Sequence, residues 1–516
     1  MGFGAWSLLV VLVVLLHSCD ASTVGYSQSN VTSYNQMGKS NNSTLYNVTL
    51  SNDPYEYPIY LIDLWGDRTT MGYDYGVLLG AQIVDCYNTF FSSIFKEAGV
   101  PKYLVPLLER AIKLLLDWQW NNWLSVQVTP ELLQELDGIE QGGNAIGISD
   151  LKSYITQTIT LANLPSDLSD LKFVFEDEYN QWKAQNGGND SFDPSDSELL
   201  QIIQKAIAKA PAGLQCSMFG VWGSRTLNGD LYSARNLDWA SNLGLDQFKC
   251  IQIWHPEDAY EHSAVGYTIM YGVLAGMNSK GVSVHEANLE SNQETFRGFP
   301  WVLRLRYIME NAKNINEGWA LWESTNNTVG FNHMIASSTD VEATNHGALA
   351  IETMAHYNAY FLDDDPREAG AVYYDADLSE DIPIGFPMKE ALWRTNHGYD
   401  PVIREHYMWR GTHALRWSEK RYMFAYESFM YYQNQGIAIN HNDAINITAI
   451  LGDKGSTAYH CPDSATGSNI ISVTFHPGGQ EFWASWENGS GDNWRPAACN
   501  NYVHFDLSQW FSQSVQ

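Results

Sequence analysis

Basic residues are scarce in this chain of 516 residues, in which 29 Lys and Arg face 59 Asp and Glu and leave a formal net charge of −30 at pH 7. A surface that binds nucleic acid needs clustered Lys and Arg, so we expect no nucleic-acid partner. The glycine motifs that hold nucleotides are absent, as is the Gly-x-Ser-x-Gly elbow of serine α/β-hydrolases. His spacing typical of a metal centre is also missing, and we therefore expect neither a metal nor a cofactor.

Long apolar runs are absent after the first residues of the chain. Residues 8–16 are unbroken aliphatic, which is too short to cross a bilayer, and small residues follow at 18–21. This pattern predicts a signal peptide over residues 1–21, no transmembrane anchor, and a secreted or lysosomal protein. Eight Asn-x-Ser/Thr sequons predict N-glycosylation, and they begin at Asn30, Asn41, Asn42, Asn47, Asn189, Asn326, Asn446 and Asn488.

Cysteine is rare as well, with six residues in all, of which the predicted signal peptide removes Cys19. Five is an odd number, and an unpaired cysteine in a secreted protein is often a reactive thiol. We expect a disulfide between Cys461 and Cys499, with Cys86 and Cys250 as the remaining pair. The alternative is that some cysteines are buried and free.

The character of the chain changes at Cys216. Apolar residues at helical spacing predict a mostly helical segment over residues 22–215, which ends in an exposed linker near 183–197. Strand patterns dominate from 216 to 516. The chain therefore divides into two parts of different composition.

Cys216 opens the most informative stretch of the sequence. Two predicted strands flank the turn signal Asn228-Gly229, and a hairpin brings its ends together. The hairpin therefore predicts that Cys216, Arg235 and Asp238 meet at one end of a sheet. A thiol, a fixed cation and a carboxylate are the groups that acyl transfer requires.

Several motifs resemble one enzyme family, and they lie in a consistent order between about residues 58 and 487. They are Gly72-Tyr73-Asp74-Tyr75-Gly76, Leu136-Asp137-Gly138-Ile139-Glu140-Gln141-Gly142, Cys216-Ser217, Arg235-Asn236-Leu237-Asp238, Gly276-Met277-Asn278-Ser279-Lys280-Gly281-Val282-Ser283-Val284, Arg394-Thr395-Asn396-His397 and Ser418-Glu419-Lys420-Arg421. The set resembles the N-terminal-nucleophile (Ntn) amidohydrolases of the acid ceramidase and N-acylethanolamine amidase group. It also resembles the related isopenicillin N acyltransferases of the C45 peptidase type.

The resemblance implies an α+β fold, the αββα sandwich of two antiparallel sheets. Residues 22–215 would be a helical α subunit packed on a catalytic β subunit of residues 216–516. Self-cleavage of the Gln215–Cys216 bond would free the α-amine of Cys216 as a general base, and the two fragments would remain associated.

The resemblance also implies roles for the site residues. Cys216 would attack the acyl carbonyl, and Arg235 with Asp238 would hold the nucleophile. Asn396 would donate to the oxyanion, as would Asn288 or a backbone N–H, and the neighbouring Glu290 and Asn292 stay open in place of Asn288. Arg421 would brace the site or bind substrate, with Arg404, Arg410 and Arg416 as competitors.

The expected function is cleavage, or transfer, of the acyl group of an amide. The expected substrate is a small-molecule or lipid acyl-amide, such as an N-acylated lipid or acyl-amine. Two alternatives stay open, namely a phospholipase B-like Ntn esterase and a secreted glycoprotein that keeps the fold without catalysis.

Overall fold

The structure is a computed structural model that describes residues 27–97, 102, 105–164, 215–239, 243–375, 379–407, 412–452 and 468–512. The predicted signal peptide, the linker near 183–197 and the sequon at Asn189 lie outside these ranges. Eighteen strands occur in the described part: β1 Gln28–Ser40, β2 Ser43–Leu50, β3 Ile59–Gly66, β4 Gln215–Val221, β5 Tyr232–Asp238, β6 Lys249–Pro256, β7 His262–Tyr267, β8 Ala275–Asn278, β9 Val282–Asn288, β10 Phe331–Ser337, β11 Ala348–Met354, β12 Tyr357–Phe361, β13 Val372–Asp375, β14 Glu380–Pro383, β15 Ala391–Arg394, β16 Asn469–His476, β17 Glu481–Trp486 and β18 Tyr502–Asp506.

Two sheets form the centre of the molecule. The first has the strand order β15-β4-β5-β16-β17-β18, and the second has the order β2-β3-β6-β7-β8-β9-β10-β11-β12. Strand β1 pairs with β18 at its start and with β2 beyond it, so it joins the two. The sheets pack face to face, and a 2.7 Å contact between Ser233 Oγ on β5 and Ser283 Oγ on β9 crosses the interface.

Helices cover both outer faces. They are α1 Arg68–Glu97, α2 Val105–Gln119, α3 Pro130–Ala145, α4 Leu151–Leu161, α5 Trp301–Asn311, α6 Ile315–Glu323, α7 Ser338–Thr344, α8 Pro401–His406, α9 Thr412–Gln435 and α10 His441–Leu451. Helices α1, α5 and α6 pack on the second sheet, while α9 and α10 pack on the first. The predicted αββα layering, with a helical N-terminal part packed on it, is therefore confirmed. Among the helices of the described residues, none is both long and apolar enough to cross a membrane.

The N-terminal part contributes strands as well as helices. Its strands β1, β2 and β3 lie between β18 and β6, and both of the outer seams, β1–β18 and β3–β6, are parallel. The polar segment of residues 22–52 gave no signal for the first two of these strands. Strand β1 is exposed along most of its length, so it lacks the apolar alternation that identifies a half-buried strand.

Two glycine motifs of the sequence meet where α1 crosses α3. A Cβ atom on Gly72 would lie 2.0 Å from the backbone oxygen of Glu135, and one on Gly142 would lie 2.1 Å from that of Tyr73. Gly76 and Gly138 make similar backbone contacts across the same crossing. The helices are therefore in backbone contact, and the spacing of four residues places the glycines of each motif on one face.

Gly142→Ala should destabilise the protein by about 3 kcal/mol, because a methyl group at this crossing must force two helices apart. Gln141→Ala changes an exposed position of the same helix and should stay within about 0.5 kcal/mol of the wild type. Urea unfolding followed by circular dichroism measures both. Equal midpoints for the two variants would contradict the close approach.

A buried histidine links the N-terminal and C-terminal parts across the β3–β6 seam. His255 on β6 makes a 2.8 Å contact with Asp63 on β3 through Nε2 and another 2.8 Å contact with Glu261 through Nδ1. Its ring stacks on Trp65 with 3.6 Å between the ring centroids. Burial alone would lower the pKa of His255, but the hydrogen bonds to the two carboxylates outweigh it and raise the pKa above the ordinary 6.5.

This raised pKa makes the stability of the protein depend on pH. When folding raises the pKa of a group, that group contributes its full stabilisation at pH values below its pKa in the unfolded chain. The contribution is lost as the pH rises through its pKa in the folded protein. His255→Gln should therefore cost about 2 kcal/mol near pH 5.5 and progressively less above pH 6.5, measured by urea unfolding. The exposed His356→Gln is the control and should stay within about 0.5 kcal/mol of the wild type. A cost for His255→Gln that is constant with pH would disprove the ionic link.

One of the two expected disulfides is absent. Cys86 and Cys250 are both buried free thiols and do not form the expected second disulfide. Because three described cysteines are free, the odd count does not single out Cys216. Cys461 lies outside the described residues, so its pairing with Cys499 stays a prediction.

The described sequons differ in exposure. Asn30, Asn41, Asn42 and Asn326 are exposed, whereas Asn47, Asn446 and Asn488 are half-buried. Glycosylation at these positions stays a prediction.

Candidate active site

The predicted hairpin is present and places its residues as expected. Strands β4 and β5 are antiparallel, with Gln215 opposite Asp238 and Met218 opposite Arg235. The connection is longer than the predicted two-residue turn, because two short 3-10 turns lie between the strands, and Asn228 takes a left-handed conformation with φ of 63°. Cys216, Arg235 and Asp238 are all fully buried at the same end of the hairpin.

Arg235 lies beside the thiol of Cys216. Its Nη2 is 3.8 Å from Cys216 Sγ, and it also forms an ion pair with the carboxylate of Glu286 on β9. The Nε of Arg235 donates to the backbone oxygen of Glu286 at 3.3 Å. The second sheet thus fixes the guanidinium against the nucleophile of the first sheet.

Asn396 contacts the main chain of Cys216. Its side-chain Oδ1 accepts from the backbone N–H of Cys216 at 2.8 Å and from Arg421 Nη2 at 2.7 Å. Its own Nδ2 donates to the backbone oxygen of Asn288 at 2.7 Å. The asparagine therefore holds the nitrogen that becomes the α-amine if the chain is cut before Cys216.

Arg421 reaches the site from α9. It donates to the backbone oxygen of Cys216, and its Nη1 is 3.9 Å from Asp238 Oδ2. The competing Arg404 donates to Val372 instead. Arg410 and the side chain of Arg416 lie outside the described parts of the structure. Arg421 thus touches Cys216 directly.

Asn288 lies beside Asn396 and accepts from its side chain through the backbone oxygen. Asn292, which was open in its place, is exposed and pairs with His406. The oxyanion role of Asn288 and of Asn396 stays a prediction.

Two residues of the site were missed by the sequence analysis. Glu286 pairs with Arg235, and Asn469 on β16 donates to Asp238 Oδ1 at 2.8 Å. Glu286 carried a usable signal, because an acidic residue inside a strand is rarely buried unless it is paired with a cation. Asn469 follows residues 453–467, which are not described, and its sequence context carries no signal.

The electrostatics of the site leave the thiol protonated in the uncut chain. Burial raises the pKa of Cys216 above its ordinary value, and Asp238 raises it further, whereas Arg235 and Arg421 counteract the shift. The expected effect of Arg235, which favours the thiolate, is thus present but smaller than the effect of burial. Nucleophilic attack by Cys216 therefore needs a base that removes the thiol proton.

Within the described ranges, no group of three or more His, Cys, Asp or Glu side chains could hold a metal ion. The arrangement is a thiol, a guanidinium, a carboxylate and a fixed main-chain nitrogen. These groups suit covalent acyl transfer at Cys216.

The sequence matches the model of one protein family. The family is described as acyl-coenzyme A:6-aminopenicillanic acid acyl-transferase, and the match covers residues 224–490, or 267 of 516 residues. It begins after Cys216 and includes Arg235, Asp238, Asn396 and Arg421.

Two curated relatives are similar to parts of the chain. Protein dcd1B of Dictyostelium discoideum is 25% identical over 272 residues, which are 50% of this chain and 44% of that protein. Protein dcd1A of the same organism is 22% identical over 331 residues, which are 61% of this chain and 64% of that protein. The chain thus spans less than two thirds of the length of either relative.

Two solved structures are similar at lower identity. One is a Caenorhabditis elegans orthologue of N-acylethanolamine-hydrolyzing acid amidase, with 14% identity, a TM-score of 0.33, and coverage of 51% of this chain and 93% of the other. The second is penicillin V acylase from Agrobacterium tumefaciens, with 14% identity, a TM-score of 0.35, and coverage of 57% and 87%.

Proposed function

We propose a function for this chain from its family, since it belongs to the acyl-coenzyme A:6-aminopenicillanic acid acyl-transferase family of Ntn hydrolases. The proposed function is to cleave or transfer the acyl group of an amide by means of Cys216. One observation carries the proposal. The Cys216 thiol and its main-chain nitrogen lie among Arg235, Asp238, Asn396 and Arg421, which are all buried.

The first step is self-cleavage of the Gln215–Cys216 bond. Cys216 Sγ attacks the carbonyl carbon of Gln215, the C–N bond breaks, and the thiol proton passes to the leaving nitrogen, so that a thioester and the free amine of Cys216 form. Water then hydrolyses the thioester, which leaves Gln215 with a carboxylate and Cys216 at the start of a new chain. Arg421 and Asn396 hold the carbonyl and the nitrogen of Cys216 throughout.

Turnover follows the same chemistry on a substrate. The freed α-amine has an ordinary pKa of about 8 and takes the thiol proton that burial otherwise retains. The thiolate attacks the acyl carbonyl, the amine returns the proton to the leaving amine, and water or a second amine takes the acyl group. Arg235 stabilises the thiolate, to which it lies close.

The proposed substrate is an N-acylated lipid or acyl-amine. The Arg235-Asn236-Leu237-Asp238 stretch resembles the ceramidase side of the family, which favours a lipid amide. The apolar residues 8–16 and the sequons support secretion or delivery to a lysosome. The insertion of β1, β2 and β3 between C-terminal strands supports continued association of the two fragments.

Two measurements on the purified protein test the proposal. N-terminal sequencing and intact mass should find a fragment that begins at Cys216. An acyl-release assay should then find turnover of ceramide or an N-acylethanolamine and none of a lysophospholipid. Turnover of the lysophospholipid alone would favour an esterase, and a full-length active protein would refute self-cleavage. No release from any of the three would favour a glycoprotein without catalysis.

A further inference from the structure

Two side chains of the second sheet form hydrogen bonds with the backbone of the loop that carries Asn396. Asn332 on β10 and Glu352 on β11 lie directly opposite each other in the antiparallel pair, and both are fully buried. Asn332 Nδ2 donates to the backbone oxygens of Thr395 at 2.8 Å and of His397 at 3.0 Å. Glu352 takes the other end of the same loop.

Glu352 accepts hydrogen bonds from two consecutive backbone amides. The N–H of Tyr399 lies 3.0 Å from Oε1 and 2.8 Å from Oε2, and the N–H of Asp400 lies 3.0 Å from Oε2. Bonds from N–H groups to a carboxylate are stronger than bonds between neutral groups. Gly398 lets the loop approach this closely, because a Cβ there would lie 2.6 Å from Ile403 Cγ2 and 3.0 Å from Glu352 Oε2.

We infer that Glu352 is a positioning residue, which sets the place of Asn396, and through it the nitrogen of Cys216, by fixing the loop of residues 396–400. This inference rests on the proposed function, because it assigns Glu352 a part in the same site. Glu352 does not reach the reacting atoms. It acts through the backbone of the loop, whose first residue holds the Cys216 nitrogen.

A second buried carboxylate offers a matched control. Arg394 forms ion pairs with both Glu352, at 3.3 Å, and Glu368, at 2.5 Å. Both carboxylates are buried against the same guanidinium, and only Glu352 accepts from the amides of Tyr399 and Asp400. Glu368→Ala therefore removes an equivalent charge from Arg394 and leaves the contacts of the loop in place.

The experiment compares Glu352→Ala, Glu352→Gln and Glu368→Ala in the full chain. Kinetics are expressed per active site, titrated by alkylation of Cys216, so that loss of folded protein does not count. Glu352→Ala should lower kcat at least tenfold with KM changed less than about threefold, because the ground-state contacts of the substrate are untouched. Glu352→Gln keeps one acceptor oxygen and should recover part of the loss, while Glu368→Ala should stay within about twofold of the wild type.

A readout independent of activity separates the inference from the proposed function. Hydrogen exchange, followed by mass spectrometry, should accelerate in the peptide of residues 396–400 for Glu352→Ala but not for Glu368→Ala. Equal kcat losses in the two alanine variants, or unchanged exchange in Glu352→Ala, would overturn the positioning role. A wild-type protein that releases no acyl group would refute the proposed function, and the assignment of Glu352 to catalysis would fail with it, whatever the exchange shows about the loop.

Discussion

Cys216→Ala is expected to abolish both self-cleavage and acyl release, with a loss of about 10⁴-fold or more in kcat. In the proposed mechanism the thiol is the nucleophile of both reactions, and a methyl group supplies no electron pair. Arg235, which lies 3.8 Å from the sulfur, cannot substitute for it. On a denaturing gel the variant should remain a single chain, and its intact mass should equal that of the uncut protein.

The control for this variant uses another buried thiol. Cys250→Ala removes a free cysteine that is as buried as Cys216 but lies on β6, in the second sheet. It should cleave and turn over at rates close to those of the wild type. Cleavage before residue 216 in Cys216→Ala, together with amide turnover, would show that the nucleophile lies elsewhere.

Asn396→Ala has the second largest expected effect, a loss of about 10² to 10³-fold in kcat. Its Oδ1 accepts from the Cys216 nitrogen at 2.8 Å and thereby orients the group that is the base in the proposed mechanism. A positioned general base contributes typically about 10²- to 10⁴-fold, and its misplacement forfeits much of that factor. The control is Asn292→Ala, which changes an exposed asparagine close in sequence to Asn288 and should leave kcat unchanged.

Asn396→Asp distinguishes two roles of this residue. An aspartate keeps an oxygen that accepts from the Cys216 nitrogen and loses the amide hydrogens that could donate to an oxyanion. If orientation of the amine dominates, Asn396→Asp should be more active than Asn396→Ala. An aspartate variant as inactive as the alanine variant would instead support donation to the oxyanion, a role worth about 3 kcal/mol.

The sequence predicted two kinds of site residue. Some lie close together in one hairpin, and the others belong to the ordered set of family motifs. Cys216, Arg235 and Asp238 lie in one hairpin, so the turn signal alone brings them together. Asn396 and Arg421 were identified only through a resemblance in motif order, because no local pattern relates them to Cys216. Glu286 and Asn469 reach the site from other strands, and such contacts form only when the sheets pack.

The layers of the fold were predicted through the family resemblance, whereas the first two N-terminal strands, β1 and β2, were not predicted. Strand β1 carries mostly exposed polar residues, and its pairing is decided by backbone hydrogen bonds with β2 and β18 rather than by an apolar face. The expectation of a second disulfide failed for a related reason. Composition shows how many thiols a chain has, but only packing shows whether two buried thiols bond or remain separate, as Cys86 and Cys250 do.

The interleaved order of the strands bears on how long a processed molecule survives. If the chain is cut before Cys216, we expect the fragment that holds β1, β2 and β3 to stay between β18 and β6 of the other fragment, where two parallel ladders pair it. Its release requires both sheets to open, so the lifetime of the active protein depends on an unfolding rate rather than on an affinity between subunits. Once opened, the two fragments must find each other in solution, and recovery of activity after denaturation should depend on protein concentration for the cut form alone. Cleavage would thus turn a fold that one chain forms by itself into a complex of two fragments, which does not readily form again after it unfolds.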